Sequence, residues 1–312
     1  MNRVRELLRA EDGGASRSLG GLLLAIAVLV LLFRRTSLGD PWGPLPVFLV
    51  LLATTVVLYG AGVAGARLAG TTHPWQILFA VVGSVFVPLT LYAFLDWVGG
   101  NPNAPLNTAW IFLLTAVAAF AAAFLARVRV ACLLGALALI VAWLGLWGEL
   151  LEDGLGADAG TLRGLLVLAA VIVLVAGATL GRFGLPEGGF ADMVTAAGLA
   201  AVAAGAISLI ALGDVLFFFA EPEVEASLFW DAWLLLVTLA LLIYGALARI
   251  RGPAYVGALG LIAFTYLVGL DADDPTPSGS LLGWPLVLVA ALALLVLSAL
   301  PVLRRTRGNP GG

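Results

Sequence analysis

Six carboxylates that follow long apolar segments are the first candidates for chemistry in this sequence. Glu149 and Glu152, like Asp271 and Asp274, are three residues apart, a spacing that shares one helix face. Ca²⁺ and Mg²⁺ prefer clusters of oxygen ligands of this kind. The sequence therefore predicts a candidate divalent-cation cluster formed by Asp96, Glu149, Glu152, Asp214, Asp271 and Asp274. The alternative is that these acids only populate polar loops; no other cofactor is expected.

A second candidate group consists mainly of uncharged polar side chains inside the apolar segments. Pro88 lies four residues after Ser84 and cannot donate a hydrogen bond to its carbonyl, which bends a helix. Interrupted helices of this kind line midplane cavities in transporters, although ordinary packing of small residues gives the same pattern. The candidate cavity-lining residues are Ser84, Pro88, Thr90, Tyr92, Ser208 and Thr238.

Residue types that are rare or missing exclude several kinds of active site. The chain has one histidine, His73, one cysteine, Cys132, and no lysine. A phosphate-binding loop ending in Gly-Lys-Ser/Thr, a Schiff-base lysine and a zinc site with several His or Cys ligands are therefore excluded. A Ser-His-Asp triad would need His73, which precedes Pro74 in a short loop typical of a membrane interface. We predict no catalytic residue.

The composition indicates an all-α integral membrane protein. Of 312 residues, 62% are hydrophobic and 11% are charged, whereas soluble domains have about 25% charged residues. A bilayer core of about 30 Å needs roughly 20 apolar residues, and there a helix satisfies its backbone within its own segment, whereas an isolated strand does not. About ten transmembrane helices are predicted, at 19-33, 45-64, 75-95, 107-126, 130-148, 162-181, 191-216, 228-248, 254-270 and 281-303.

The arginines predict how these spans are oriented. With a cytoplasmic N-terminus, thirteen of the sixteen arginines lie on the inner side, and only Arg34, Arg35 and Arg163 lie outside. This distribution follows the positive-inside rule. We expect a plasma-membrane protein with cytoplasmic tails at residues 1-18 and 304-312 and a membrane domain at 19-303.

The first span is the weakest part of this topology. Residues 19-33 reach only about 22 Å as a helix, and Arg34 and Arg35 then fall on the outer side. Snorkelling of these two arginines and of Arg17 would extend the span. A re-entrant segment would instead leave nine spans. We favour snorkelling because it preserves the distribution of the other arginines.

The chain matches itself at an offset of 122 residues. Residues 125-129 (LARVR) match 247-251 (LARIR), and residues 135-140 match 257-262. Four spans separate the copies, so both have the same orientation, and a parallel duplication of a four-helix unit is predicted. Repeat I covers about 45-152 and repeat II about 162-274, flanked by the spans 19-33 and 281-303.

Three functions fit these patterns, and no motif is specific enough to name a family. The first is a transporter or permease for a small or amphiphilic substrate, favoured by the span count, the repeat and Pro88. The second is a membrane scaffold, sensor or assembly partner, favoured by the lack of charge at mid-depth. The third and weakest is an intramembrane metal-dependent enzyme. The lipid bilayer is the expected partner, nucleic acid is not, and the sequence names no protein partner.

Overall fold

The computed structural model of the chain describes residues 14–37, 43–69, 72–151, 159–207 and 227–271, and these residues contain helices but no strand. We number the described helices in chain order. They are α1 (Gly14–Ser37), α2 (Pro44–Ala69), α3 (Pro74–Trp97), α4 (Pro105–Ala126), α5 (Val130–Leu150), α6 (Ala159–Arg182), α7 (Gly189–Gly205), α8 (Leu228–Ala248) and α9 (Arg251–Asp271).

Seven of these helices are long and apolar enough to cross a membrane. Their candidate spans are Gly14–Arg34, Pro44–Leu68, Pro74–Trp97, Pro105–Ala126, Val130–Leu150, Ala159–Arg182 and Phe229–Ala248. The multi-pass, all-helical class predicted from the composition is therefore confirmed, while the count of ten stays a prediction. The expected span 281-303 and the end of 191-216 lie outside the described residues.

The first helix is longer than its apolar run. We expected a span of 15 residues, but α1 extends over 24 residues, from Gly14 to Ser37. A helix rises about 1.5 Å per residue, so α1 is long enough to cross a bilayer. Arg17 lies within its first turns, and its guanidinium carbon lies 5.3 Å from the centre of the Trp75 ring. Polar residues that the hydropathy pattern excluded therefore belong to this helix.

Local sequence signals explain where the helices begin and end. His73 precedes α3, and its backbone N–H donates to the Gln76 side chain at 2.9 Å, as in a capping box. Proline occupies the first position of α3 and of α4, where its missing N–H costs no helical bond. Arg127 and Arg249 end α4 and α8 in the left-handed conformation, with φ of 54° and 57°.

The helices form two compact units. The first contains α1 to α5 together with Val175–Met193, the end of α6 and the start of α7. The second contains α6 up to Leu174, α7 from Val194, and α8 and α9. Each unit has its own buried apolar cluster.

Glycines allow α2 and α3 to pack closely in the first unit. A Cβ atom on Gly62 would lie 2.5 Å from the Ala80 nitrogen, and one on Gly83 would lie 2.5 Å from the Tyr59 nitrogen. Backbone atoms cannot move away as flexible side chains can. Small residues at such crossings give membrane helices the close contact that stabilises them. The buried residues around Leu58 and Phe86 complete this contact.

Alanine and leucine fill the contacts between the helices of two other pairs, α4 with α5 and α8 with α9. Between α4 and α5, Ala119, Ala122, Ala131 and Ala136 are fully buried. In the second unit, Leu234 and Phe264 are also fully buried in the cluster between α8 and α9. The outward faces of the same helices expose leucine, valine and isoleucine, as expected of helices surrounded by lipid.

Replacing Gly62 with alanine tests the contact between α2 and α3. We expect Gly62→Ala to lower the free energy of unfolding by roughly 1–3 kcal/mol, because the new methyl overlaps the α3 backbone. Gly60→Ala is the matched control, since a Cβ there meets nothing within 4 Å. Unfolding by SDS in mixed micelles, followed by circular dichroism, measures both. Equal losses for the two variants would contradict this packing.

Candidate functional site

Uncharged polar side chains meet between α2, α3 and α4 in the first unit. The hydroxyls of Thr55 and Thr90 are 2.7 Å apart, and Thr90 also bonds the Phe86 carbonyl at 2.8 Å. From the same face of α2, the Tyr59 hydroxyl donates to the Ala118 carbonyl of α4 at 2.6 Å. Three spanning helices are thus joined by hydroxyl groups. We call Thr55, Tyr59 and Thr90 the hydroxyl cluster.

Ser84 and Pro88 belong to one turn of α3 beside this cluster. Ser84 is 1% exposed, and its hydroxyl donates to the Ala80 carbonyl at 2.7 Å. Pro88 has no N–H, so the Ser84 carbonyl loses the usual donor four residues later. A carbonyl without its helical partner is an acceptor that a polar solute or a neighbouring hydroxyl can use. The turn from Ser84 to Pro88 therefore contains one backbone acceptor that lacks its usual helical donor.

The other residues of the predicted cavity group lie elsewhere. Tyr92 is 38% exposed, and its hydroxyl donates to the Asn103 side chain in the loop before α4. Thr238, in the second unit, is fully buried and donates to the Leu235 carbonyl at 2.9 Å. Ser208 lies outside the described residues. Of this group, Ser84, Pro88 and Thr90 lie in one segment of α3, and Thr90 forms the hydrogen bond to Thr55 of α2.

Thr55 and Tyr59 were not predicted from the sequence. They are four residues apart on α2, so they share a helix face. That spacing could have identified them, but the contact with Thr90 could not be derived without knowing that α2 packs on α3. Threonine hydroxyls usually bond their own helix, and Thr54 does so with the Val50 carbonyl at 2.8 Å.

The six predicted cation ligands are only partly described. Asp96 is exposed at the end of α3. Glu149 is also exposed, and its Oε2 accepts from the Leu106 N–H at the start of α4, at 3.4 Å. Glu152, Asp214 and Asp274 lie outside the described residues, as does the Asp271 side chain. Glu149 therefore acts as a capping acceptor in the described structure, and the cation cluster stays a prediction.

Metal ligands are not clustered in the described ranges. Within residues 14–37, 43–69, 72–151, 159–207 and 227–271, no group of three or more His, Cys, Asp or Glu side chains could hold a metal ion. His73 caps α3, and Cys132 is buried as a free thiol.

In the first unit, two arginines that follow α4 form hydrogen bonds with the loop before α7 and with the first turn of α7. Arg129, after α4, bonds both carboxylate oxygens of Asp192 at 2.8 and 2.9 Å. Arg127 donates to the Gly184 carbonyl at 2.8 Å, and Gly188 lies so close to the Arg129 guanidinium that a Cβ would overlap it. The hydrogen bond with Asp192 raises the pKa of Arg129 above its ordinary value.

Another arginine, Arg163, is buried near the start of α6. Arg163, in the second unit, is 5% exposed, and its guanidinium carbon lies 5.0 Å from the centre of the Trp230 ring. Asp231 attracts the same guanidinium electrostatically. Burial of a cation is costly unless neighbouring groups compensate, and an aromatic face and a carboxylate both do so. Arg163 therefore joins α6 to the start of α8.

No protein family, no curated protein and no solved structure matches this chain. The described residues place uncharged hydroxyls within the spanning helices and charged groups near the helix ends, an arrangement that suits binding of a polar but uncharged group more than acid–base chemistry.

Replacing Asp192 with asparagine tests the contact with Arg129. We expect Asp192→Asn to lower the free energy of unfolding by about 1 kcal/mol, a modest value because the arginine side chain is 46% exposed and screened by water. Glu187→Gln removes the same charge from the exposed loop just before α7 and is the control, with no expected loss. Denaturation in detergent, at low and high salt, gives both values.

The effect of pH on this contact has a definite sign. Because the folded pKa of Arg129 is raised, its contribution is complete below the unfolded value and is lost only as pH rises through the folded one. The difference between Asp192→Asn and the native chain should therefore stay constant between about pH 6 and 9. A difference that disappears over that range, or an equal loss for Glu187→Gln, would contradict the assignment.

Proposed function

We propose that this multi-pass membrane protein is a transporter or permease for a small uncharged or amphiphilic substrate. The observation that carries the proposal is the hydroxyl cluster, which lies inside the spanning helices beside the proline of α3. A transported solute must exchange water for polar groups at mid-depth, and hydroxyls supply them without the cost of burying a charge.

The position of Pro88 supports a path along α3. Broken or bent helices in transporters leave backbone carbonyls that bind substrate near the midplane. The Ser84 carbonyl is such a group, and the Thr90 hydroxyl lies less than two turns further along the helix. The Thr55–Thr90 hydrogen bond can open and accept a solute at small cost, since a net hydrogen bond contributes only about 1 kcal/mol.

The proposed architecture comprises ten spans in the plasma membrane, with both termini cytoplasmic and a parallel duplication. The seven apolar helices support its coarse form. Corresponding local geometry supports the duplication: Arg127 and Arg249 end α4 and α8 with nearly the same φ. A Cβ on Gly135 would meet Phe120, and one on Gly257 would meet Leu242, each 122 residues on. These two local correspondences support the proposed duplication.

A membrane scaffold or assembly partner is the second candidate function. One observation favours this function: only 17% of the most apolar stretch of α1 is buried inside the protein. A helix with so little internal contact offers its surface to lipid or to a neighbouring membrane protein. A transporter and a scaffold differ in whether water reaches the hydroxyl cluster, and that difference is measurable.

Cysteine accessibility tests the transport proposal. In a Cys132→Ala background, we expect Thr90→Cys and Ser84→Cys to react with a small water-soluble thiosulfonate in proteoliposomes, because alternating conformations of a transporter wet the cluster. Ala119→Cys is the control for a dry helix contact, since Ala119 is fully buried between α4 and α5. Mass spectrometry counts the labelled fraction with time.

The labelling rates of these cysteine variants distinguish a transporter from a scaffold. Labelling of Thr90→Cys at least tenfold faster than Ala119→Cys supports a path for solutes. Equal and very slow labelling at positions 84, 90 and 119 would contradict transport and favour the scaffold.

A further inference from the structure

Two turns of the chain share a sequence and a backbone conformation but differ in their surroundings. Residues 125–129 and 247–251 match, and Arg127 and Arg249 both take the left-handed conformation, with ψ of 30° and 37°. In the described part of the chain they are the only residues other than glycine with positive φ. The same turn is thus built twice, once in each unit.

In the first turn, the side chains of both arginines have hydrogen-bond acceptors within the protein. Arg127 donates to the Gly184 carbonyl, and Arg129 forms two hydrogen bonds with Asp192. Gly184 lies in the loop between α6 and α7, and Asp192 lies in the first turn of α7. The two guanidinium groups therefore have a carbonyl oxygen and a carboxylate as their partners.

The second turn lacks such acceptors among the described residues. Arg249 and Arg251 are exposed, and neither side chain forms an ion pair or a hydrogen bond with a described residue. The acids of the two adjoining helices, Asp231 and Asp271, lie at their opposite ends. Two exposed cations therefore lie two residues apart along the chain, and no acid among the described residues of the second unit lies at this end of α8 or α9, where the first turn has Asp192.

The surface of α9 below this turn changes character in a regular order. Arg251, Tyr255 and Leu259 are four residues apart on one helix face, and Ile262 continues it. Tyr255, Leu259 and Ile262 are 64%, 60% and 67% exposed. From the turn inward the face is thus cationic, then aromatic with a polar tip, then aliphatic. A phospholipid has the same order of phosphate, glycerol and acyl chain.

We propose that the Arg249–Arg251 turn and this face of α9 bind one anionic phospholipid. The two guanidinium groups hold the phosphate, Tyr255 lies at the glycerol level, and Leu259 and Ile262 contact the acyl chain. Arginine pairs bind phosphate through forked hydrogen bonds, and tyrosine favours the headgroup level. The inference rests on the proposed topology, in which α9 spans the bilayer and the turn lies at its cytoplasmic surface.

A lipid suits this surface better than a soluble anion. A free phosphate would contact only the arginines and would make no apolar contact with the adjoining aliphatic face of α9. The acyl chain of a phospholipid covers that face while the phosphate is held, so one molecule satisfies both parts. The lipid bound here takes the role that Asp192 has at the first turn.

Native mass spectrometry of the full-length protein in detergent provides the test. The protein is titrated with dioleoylphosphatidylglycerol and, separately, with dioleoylphosphatidylcholine. We expect the first phosphatidylglycerol to bind more tightly than phosphatidylcholine. Arg249→Gln with Arg251→Gln should weaken phosphatidylglycerol binding roughly 20- to 30-fold, since each arginine near a lipid surface contributes about fivefold.

The matched control removes two other exposed arginines. Arg67→Gln with Arg182→Gln takes the same charge from the ends of α2 and α6, and the affinity for the first phosphatidylglycerol should change less than threefold. Inorganic phosphate added in excess should not displace the lipid.

Each remaining outcome contradicts the proposal in its own way. Equal weakening by the two double variants would mean a general charge effect without a site. Displacement by inorganic phosphate would mean an anion site without lipid. Equal affinity of the native protein for the two lipids would mean no recognition of the headgroup. The transport proposal stands or falls separately, on the labelling of Ser84→Cys and Thr90→Cys.

Discussion

The bilayer interior offers no hydrogen bonds, and this single constraint governs the rest of the structure. Every backbone N–H and C=O in the spans must find a partner within the protein, which makes helices the only practical solution for this chain. Polar side chains must do the same, so Ser84, Thr90 and Thr238 bond carbonyls of their own helices. Charged groups lie near the helix ends, where water, headgroups or partners such as Trp230 compensate them.

Helix association under this constraint depends on contact more than on hydrophobic burial. Lipid tails are as apolar as leucine, so two spans gain little by burying leucine against each other. Gly62 and Gly83 bring the backbones of α2 and α3 together, and alanine does so between α4 and α5. Hydrogen bonds between side-chain hydroxyls of different helices, such as the one between Thr55 and Thr90, add a directional interaction to these contacts.

The class of the protein and most of the helix positions could be predicted from the sequence, because apolar length and proline positions act locally. The bounds of α1 could not, since the residues around Arg17 continue the helix despite their polarity. Thr90 of the hydroxyl cluster and the neighbouring Ser84 and Pro88 could be predicted, because they form a pattern within one segment. Thr55 and Tyr59 could not, because their contacts depend on which helices pack together. The partnership of Arg129 with Asp192 spans 63 residues, and nothing local predicts it.

The central claim is that helices cross the bilayer repeatedly with the arginine-bearing turns on the cytoplasmic side. Labelling of intact cells by a membrane-impermeant maleimide measures this directly, in a Cys132→Ala background with one new cysteine at a time. Three spans separate the loop at Asn101 from the turn at Phe183, and both residues are exposed. The account predicts that Asn101→Cys reacts on intact cells while Phe183→Cys reacts only after lysis. Reaction of Phe183→Cys on intact cells, with Asn101→Cys protected, would contradict it.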